Sequence, residues 1–326
     1  MSRDAPYSKL SPETVLDAIE ALGFRCDGRA LALNSYENRV YQIGIEDAEP
    51  VVAKFYRPER WSDAAIREEH AFAGELAAQE IPVVAPLLQG GESMHSHEGF
   101  RYAVFPRRGG RWPELGKSDE REWVGRFLGR IHAVGRAGRF TERASLDMDE
   151  LGRHARDFVL DGDWMPDYLA TKYAEVTDEL LEAVESRARG WGGARVGRIL
   201  GDCHRGNILW TDAGPHFVDL DDCVTGPAIQ DLWMLLAGSR QEMRTDLTDV
   251  LKGYEQFLPF DRREIDLIEP LRALRMIHYS AWLARRWHDP AFPKAFPWFA
   301  EPRHWEQHHR SLQDQLAAVL EPPLEL

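Results

Sequence analysis

The chain has 326 residues, and 44% of them are hydrophobic, which is enough to fill the cores of one large or two ordinary domains. Its formal net charge of −14 argues against general nucleic-acid binding, because a phosphate polymer would be repelled. No apolar run approaches the roughly 18 residues of a membrane span, and residues 1–12 lack the apolar region of a signal peptide. We therefore expect a cytoplasmic protein without membrane partners. We also expect a monomer without nucleic-acid partners.

Polar residues between two apolar runs mark the first predicted hairpin, at Leu33–Tyr41. Its turn contains no G-x-G-x-x-G sequence, so any binding of phosphate there would come from backbone N–H groups and the Ser35 hydroxyl. A plain hairpin with asparagine and serine as ordinary turn residues explains the segment equally well.

A single lysine interrupts the apolar, β-branched run Val51–Phe55. The run predicts a buried strand that directs Lys54 into a cleft. A lysine at the edge of a sheet, with its stem along apolar surface, would give the same pattern. Lys54 is therefore a candidate phosphate ligand that needs support from another segment.

That support comes from the next predicted helix, which begins after Ser62 and ends before Pro82. Glu69 lies three residues from both Ile66 and Phe72 and shares their apolar face. A carboxylate on such a face needs a cation, and Lys54 is the candidate, in the Lys–Glu pair that orients a lysine on nucleotide phosphates. The alternative is that Glu69 is partly exposed and pairs with Arg67 or Arg101.

The composition changes after the predicted strand Phe100–Phe105. We expect an N-terminal lobe at 1–106, a hinge at 107–111 and a C-terminal lobe at 112–326. The segment 110–118 resembles a Walker A loop, but its glycines have the wrong spacing, so we interpret it as a surface connection. The many arginines of 107–139 belong to a solvated helix face or receive an acidic protein.

Helices dominate the predicted C-terminal lobe. Trp123–Ala133 is amphipathic, and further buried helices are predicted at Ile229–Ala237 and Ile268–Trp287. The aromatic- and proline-rich segment 287–299 has no helical or strand periodicity and is predicted to wrap across this lobe without regular structure. These features predict a two-lobed α+β protein with its active site in the intervening cleft.

The residues with the clearest chemistry lie in Leu200–Asp222, LGDCHRGNILWTDAGPHFVDLDD. Phosphoryl transfer to a hydroxyl needs a carboxylate near the acceptor proton and hard oxygen ligands for Mg²⁺ at the phosphates of ATP. Asp202 is the candidate for the first role, and Asn207 and Asp219 for the second. Turn and capping carboxylates on a solvated loop are the alternative.

The apolar pair Phe217-Val218 predicts a short strand that delivers Asp219 to the mouth of the cleft. If the strand continued over 217–221, alternation would put Asp221 on the same side as Asp219. Asp221 is then either a further metal ligand or a cap for the helix that follows, and both readings stay open.

Several quoted segments together resemble the bacterial stress response kinase A family. These are serine/threonine protein kinases with the aminoglycoside-phosphotransferase-like version of the protein kinase fold. Only the 201–236 motifs are shared with the wider superfamily. The resemblance covers nearly the whole chain, through LNSYENRVYQ (33–42), VVAKFYRPERW (51–61), GRFLGRIHAVGR (125–136), GDCHRGNILW (201–210), FVDLDDCVTGPAIQDLWMLL (217–236) and WHDPAFPKAFPW (287–298).

The resemblance implies a small β-rich N-lobe, a larger helical C-lobe, and transfer from Mg·ATP to a serine or threonine of a protein in a stress response. It also implies Asp202 as proton acceptor, Asn207 and Asp219 as magnesium ligands, and Ser35 in contact with ATP. The family usually has histidine at the position of Leu200, so we expect a looser catalytic loop and a lower rate.

Nothing in the motifs themselves identifies the acceptor. A small-molecule kinase for choline, homoserine, a sugar or an aminoglycoside would use the same base and metal ligands. A non-catalytic nucleotide-binding protein is the third hypothesis, favoured only by Leu200 and opposed by the joint presence of the five other candidates, Lys54, Glu69, Asp202, Asn207 and Asp219.

Overall fold

A computed structural model describes residues 5–189 and 196–326 of the chain. The chain divides into two compact units, and each is assembled from separate stretches of sequence. Unit 1 comprises Met1–Ala144, Gly197–Thr225 and Asp249–Pro259, and unit 2 comprises Ser145–Val196, Gly226–Thr248 and Phe260–Leu326.

Unit 1 contains a five-stranded antiparallel sheet in the order β1-β2-β3-β5-β4. The predicted hairpin is confirmed, with its turn between the first two strands, and so are the predicted strands at Val51 and Phe100. The strands are β1 (Cys26–Ala32), β2 (Arg39–Ile45), β3 (Val51–Phe55), β4 (His95–His97) and β5 (Phe100–Pro106).

The sheet of unit 1 has two buried faces, and strand alternation assigns residues of β3 to each of them. Ala53 and Phe55 pack with Ile19 of helix α1 (Pro12–Glu20) in one apolar cluster. Tyr56 packs on the other side with Ile66 of helix α2 (Asp63–Ala78). Lys54 lies between Ala53 and Phe55 in sequence, so its side chain is on the α2 side of the sheet.

Helix α2 begins where the sequence predicts, because the Ser62 hydroxyl accepts a hydrogen bond from Ala65 N at 3.0 Å. Helix α3 (Ser118–Ala137) buries Val124, Leu128 and Ile131, which confirms the predicted amphipathic pattern. His132 is buried on α3 and lies 3.0 Å from the Tyr254 hydroxyl, so it is a packed core histidine.

A second hairpin of unit 1 follows the candidate catalytic residues. It consists of β7 (Ile208–Thr211) and β8 (Gly214–Phe217), after β6 (Gly197–Ile199) and a 3₁₀ turn at Arg205–Asn207. Both of its edges are held by backbone hydrogen bonds: Phe217 N donates to Pro82 O at 2.7 Å, and Trp210 N donates to Arg111 O at 2.7 Å. The hairpin therefore carries the residues on either side of it in fixed positions.

Unit 2 is helical in its described residues. Its core includes Tyr173, which packs edge-to-face against Trp305 at 6.0 Å between ring centroids. Among the described residues no helix is long and apolar enough to cross a membrane. The other helices and strands among the described residues are α4 (Met148–Leu151), α5 (Arg153–Leu160), α6 (Asp167–Ala188), β9 (Val224–Gly226), α7 (Ile229–Trp233), α8 (Arg240–Tyr254), α9 (Ile268–Arg286), α10 (Ala291–Ala295) and α11 (Pro302–Leu320), and a 3₁₀ turn lies at Arg262–Leu267.

The interpretation of 287–299 as irregular is wrong. The segment contains α10 and the start of a 3₁₀ turn at Pro297–Ala300. Phe292 packs on Trp282 of α9 at 5.0 Å between ring centroids. Proline at the ends of such short helices interrupts the apolar periodicity, so a pattern search over a longer window does not detect them.

Candidate active site

Lys54 is the centre of a buried cluster of carboxylates in unit 1. Its side chain is only 7% exposed, and its ammonium lies 2.8 Å from Asp219 Oδ1, 3.3 Å from Asp221 Oδ1 and 3.8 Å from Glu69 Oε1. Burial by itself lowers the pKa of Lys54, but the surrounding carboxylates raise it well above its ordinary value. The lysine is therefore held charged and directed toward the candidate metal ligand.

The Lys54–Glu69 pair that the sequence predicts is present as an ion pair without a hydrogen bond. Glu69 is 3% exposed and faces inward from α2, as its spacing predicts. The alternative partners are engaged elsewhere: Arg67 lies near Glu92, and Arg101 binds Asp63.

The catalytic loop, which we define as Asp202–Asn207, is shaped by hydrogen bonds to its own backbone. Asn207 N donates to His204 O at 2.9 Å, and the Asn207 side-chain amide donates to Asp202 O at 3.0 Å. Gly206 N donates to His204 Nδ1 at 2.9 Å, which leaves His204 Nε2 facing Asp202 Oδ2 at 3.5 Å. The Asp202 carboxylate is 23% exposed, so a small acceptor group can reach it.

Gly201 lets the catalytic loop lie close to the backbone of Asp222. Its φ of +81° lies in the left-handed region, where glycine is favoured. A Cβ atom at this position would overlap the carbonyl oxygen of Asp222. Glycine is thus required both for the backbone turn and for the close approach of the two loops.

The segment Asp219–Cys223, which we call the metal loop, follows β8. The predicted continuation of the strand over 217–221 is wrong, because β8 ends at Phe217 and Asp219 has a φ of +57°. This left-handed residue ends the alternation of sides, but the carboxylates of Asp219 and Asp221 still both approach the Lys54 ammonium, at 2.8 Å and 3.3 Å. The Asp219 side chain is 53% exposed, whereas that of Asp221 is 3% exposed.

Asp221 is buried and is bound by several side chains from other segments. Asn38 donates to its Oδ2 at 3.1 Å, Arg60 donates to the same oxygen, and Lys54 is near its Oδ1. Burial alone would raise the pKa of Asp221, but Arg60, Lys54 and the Asn38 hydrogen bond hold it well below its ordinary range. Asp221 does not cap the following helix, which begins at Ile229.

Three residues that contact the metal loop were not predicted from the sequence: Asn38, Arg60 and Arg143. Arg60 also binds Asp222, and Arg143 donates to the carbonyl oxygen of Cys223 at 3.0 Å. A signal was available, because Asn38 and Arg60 lie inside two of the segments that carry the family resemblance. Arg143 lies outside those segments and had no signal in the sequence.

Ser35 lies in the turn between β1 and β2, where its hydroxyl donates to Asn38 O at 2.6 Å. The hydroxyl therefore closes the turn, and its predicted contact with ATP stays a prediction. The neighbouring Glu37 is 3.0 Å from Arg57 Nε, so the turn is also tied to the residues that follow β3.

The residues present suit a divalent cation of the magnesium type. Asp219 presents a half-exposed carboxylate. The side-chain NH₂ of Asn207 donates to Asp202 O, so the side-chain oxygen of Asn207 lies on the opposite side of the amide. Both are hard oxygen donors. Among the described residues no three His, Cys, Asp or Glu side chains form a ready-made metal site, as expected where phosphate and water oxygens complete the coordination.

The fold and this site define the class of protein. The model of the phosphotransferase enzyme family matches residues 29–268, and the chain belongs to this family. Solved structures with the same fold include an amicoumacin kinase in complex with AMP-PNP and Ca²⁺ (TM-score 0.69, 18% identity, 94% of each chain). A spectinomycin phosphotransferase in complex with ADP matches with a TM-score of 0.68 at 12% identity, over 93% of this chain and 98% of its own.

Within that class the chain resembles one group along almost its whole length. It is 47% identical to stress response kinase A of Escherichia coli O157:H7 over 98% of this chain and 97% of the relative. It is 48% identical, with the same coverage, to a protein of Salmonella typhimurium named serine/threonine protein kinase RdoA. The chain is thus an ATP-dependent phosphotransferase of the stress-response kinase type.

Proposed function

We propose that the chain is a serine/threonine protein kinase that uses Mg·ATP. The observation that supports the chemistry is the convergence, within unit 1, of a buried charged lysine, a half-exposed metal-type carboxylate and a separate accessible carboxylate on Asp202. The protein acceptor is supported by the similarity to the Salmonella relative, which is named as a serine/threonine protein kinase.

Each candidate residue has a distinct role in the proposed reaction. Lys54 binds the phosphates of ATP, with Glu69 behind it to hold its ammonium in position. Asn207 and Asp219 hold Mg²⁺, which supplies positive charge against the phosphate oxygens. Asp202 orients the acceptor hydroxyl and takes its proton as the oxygen attacks the γ-phosphorus and the bond to ADP breaks. Ser35 is proposed to contact ATP.

A small-molecule acceptor is the second candidate. It is favoured by the structural neighbours, which are an amicoumacin kinase and a spectinomycin phosphotransferase. Identities of 18% and 12% establish the fold alone, because one fold carries many specificities. The acceptor must therefore be determined by experiment.

The deciding experiment measures transfer from γ-labelled ATP with Mg²⁺ to a generic protein and to a panel of small hydroxyl compounds. Asp202→Asn tests dependence on the proposed base, and Asp212→Asn, an exposed aspartate in the turn of the second hairpin, is the matched control. Asp202-dependent phosphoserine or phosphothreonine supports the protein kinase. Labelling confined to a small compound supports the second candidate, and nucleotide binding without transfer would indicate a non-catalytic protein.

The remaining expectations stay predictions. These are the cytoplasmic location, the monomeric state, the hinge at 107–111 between lobes at 1–106 and 112–326, and the lower rate expected from Leu200. Sedimentation of the purified chain would test the monomeric state, because a dimer would be detected directly.

A further inference from the structure

Arg143 is a buried arginine in the segment after α3, and it contacts the metal loop and α2 together. Its side chain is 0% exposed. Its guanidinium donates to Cys223 O at 3.0 Å and to Asp221 O, and its Nη1 lies 3.9 Å from Glu69 Oε2. The guanidinium also covers the ring of Trp61 at 3.9 Å from the centroid. A single side chain therefore joins the carbonyls at the end of the metal loop to the carboxylate behind Lys54.

Helix α2 holds the segment that carries Arg143. The Glu68 carboxylate accepts hydrogen bonds from the backbone N–H groups of Thr141 at 2.6 Å, Glu142 at 2.8 Å and Arg143 at 2.7 Å. These bonds hold the pKa of Glu68 below its ordinary value against the effect of burial. Two consecutive glutamates thus have separate tasks, since Glu68 binds this segment and Glu69 lies between Lys54 and Arg143.

The arrangement around Glu69 has a physical consequence. Glu69 Oε2 and Arg143 Nη1 are both buried, and neither has a hydrogen-bond partner among the described residues. Charges this deeply buried act strongly on each other, because little solvent screens them. Displacing Arg143 would leave Lys54 as the cation near Glu69. It would also release the carbonyls of Asp221 and Cys223, which belong to the same loop as Asp219.

We propose that Arg143 is a positioning residue of the phosphoryl-transfer site, which fixes the metal loop against α2 so that Asp219 and Lys54 stay aligned for Mg·ATP. This inference rests on the proposed function, since it assumes that Asp219 binds the metal. Arg143 itself contacts neither nucleotide nor metal in this scheme and acts through the loop backbone and Glu69.

The test substitutes Arg143→Lys, which keeps the charge but loses the planar fork that donates to two carbonyls at once. The readout is the Mg²⁺-dependent affinity for AMP-PNP by calorimetry, together with the thermal midpoint. We expect the Mg²⁺ concentration for half-maximal binding to rise about 10–100-fold, the range for residues that orient metal ligands. The matched control is Arg121→Lys, because Arg121 binds the Asp249 carboxylate at 2.7 Å and Leu115 O at 2.8 Å, neither of which belongs to the metal loop.

The control separates positioning from general stability. We expect Arg121→Lys to lower the thermal midpoint without changing the Mg²⁺ dependence. If Arg143→Lys behaves in the same way, Arg143 is merely structural and the inference is overturned. If Arg143→Lys does not fold, Glu68→Gln decides the matter, because it loosens the segment and leaves Arg143 in place; an unchanged Mg²⁺ dependence would then overturn the inference.

The design also separates this inference from the proposed function. A wild-type chain that binds Mg·AMP-PNP but transfers no phosphate would reject the kinase proposal and leave the Arg143 comparison valid, because that comparison is measured by binding. If Asp219→Ala does not alter the Mg²⁺ dependence, the metal role of Asp219 is wrong, and the inference fails with it.

Discussion

The catalytic loop and the metal loop lie against each other in unit 1, but different forces hold them. Short-range hydrogen bonds such as Asn207 N to His204 O shape the catalytic loop, and Arg205 Nη1 adds a hydrogen bond to Glu114 O of another segment at 2.9 Å. The metal loop is held by side-chain charges from other segments, namely Lys54, Arg60 and Arg143. Substitutions in the first loop should therefore remove chemistry with little effect on folding, whereas substitutions in the second should affect both.

Asp202→Asn should have the largest effect on rate. We expect turnover to fall by about 10²–10⁴, the range for a positioned acid–base group, with nucleotide affinity nearly unchanged. The thermal midpoint should stay close to that of the wild type. Asn207 binds the backbone oxygen of Asp202, and the substitution does not change that atom. Steady-state kinetics and calorimetry measure both quantities, and an unchanged rate would remove Asp202 from the role of base.

Asp221→Asn should have the largest effect on stability. Removing one partner of a buried ion pair destabilises a protein by about 3–5 kcal/mol, because the other charges are left without compensation. Here Lys54 and Arg60 would each lose a buried carboxylate partner and would keep only Asp219 and Glu69, and Asp222 and Glu37, respectively. Asp219→Asn is the comparison, since its side chain is 53% exposed and its loss should change the free energy of unfolding far less. Equal effects in urea denaturation would contradict the contrast between the two carboxylates.

Asp219→Ala should instead weaken nucleotide binding. We expect the affinity for Mg·ATP to fall at least about 10-fold, because substitutions around metal sites commonly reduce affinity 10–100-fold. Affinity for ATP without metal should change little or even improve, since a carboxylate near the phosphates is removed. Calorimetry with and without Mg²⁺ measures the difference, and an affinity that is unaltered in both conditions would count against a ligand role.

Acid should lower the free energy of unfolding by a smaller amount, through His70. His70 on α2 is buried between the Tyr56 hydroxyl at 2.6 Å and Ser93 Oγ at 2.8 Å, and burial lowers its pKa to about 3. Between this value and the unfolded pKa of about 6.5 the unfolded chain binds the extra proton, so the stabilising contribution is present above about pH 6.5 and is lost as the pH falls.

For His70 this linkage amounts to about 2 kcal/mol between pH 7 and pH 5. His70→Gln cannot take up a proton in this range, and we expect its free energy of unfolding to depend less steeply on pH than that of the wild type. Urea denaturation at pH 7, 6 and 5 measures the two slopes. Parallel slopes would show that other groups cause the acid sensitivity.

Local patterns in the sequence determined much of the site. A charged residue in an apolar strand or on an apolar helical face must find an opposite charge, so spacing alone predicted that Lys54 and Glu69 face each other. The order and spacing of Asp202, Asn207 and Asp219 reflect the needs of phosphoryl transfer, and the structure brings these residues together in one unit. The strands at Val51 and Phe100 and the helix after Ser62 followed from the same local signals, whereas helix α1 was not predicted.

Only the tertiary structure decided the surroundings of Asp221 and Arg143. The left-handed backbone at Asp219 ends the strand alternation, and nothing in the residue type required that conformation. The partners of Asp221 are 183, 167 and 161 positions away along the chain for Asn38, Lys54 and Arg60. Periodicity reports only which face of its own element a residue occupies. Long-range ion pairs depend on which elements pack together, so they could be assigned only once the fold had placed those charges beside the metal loop.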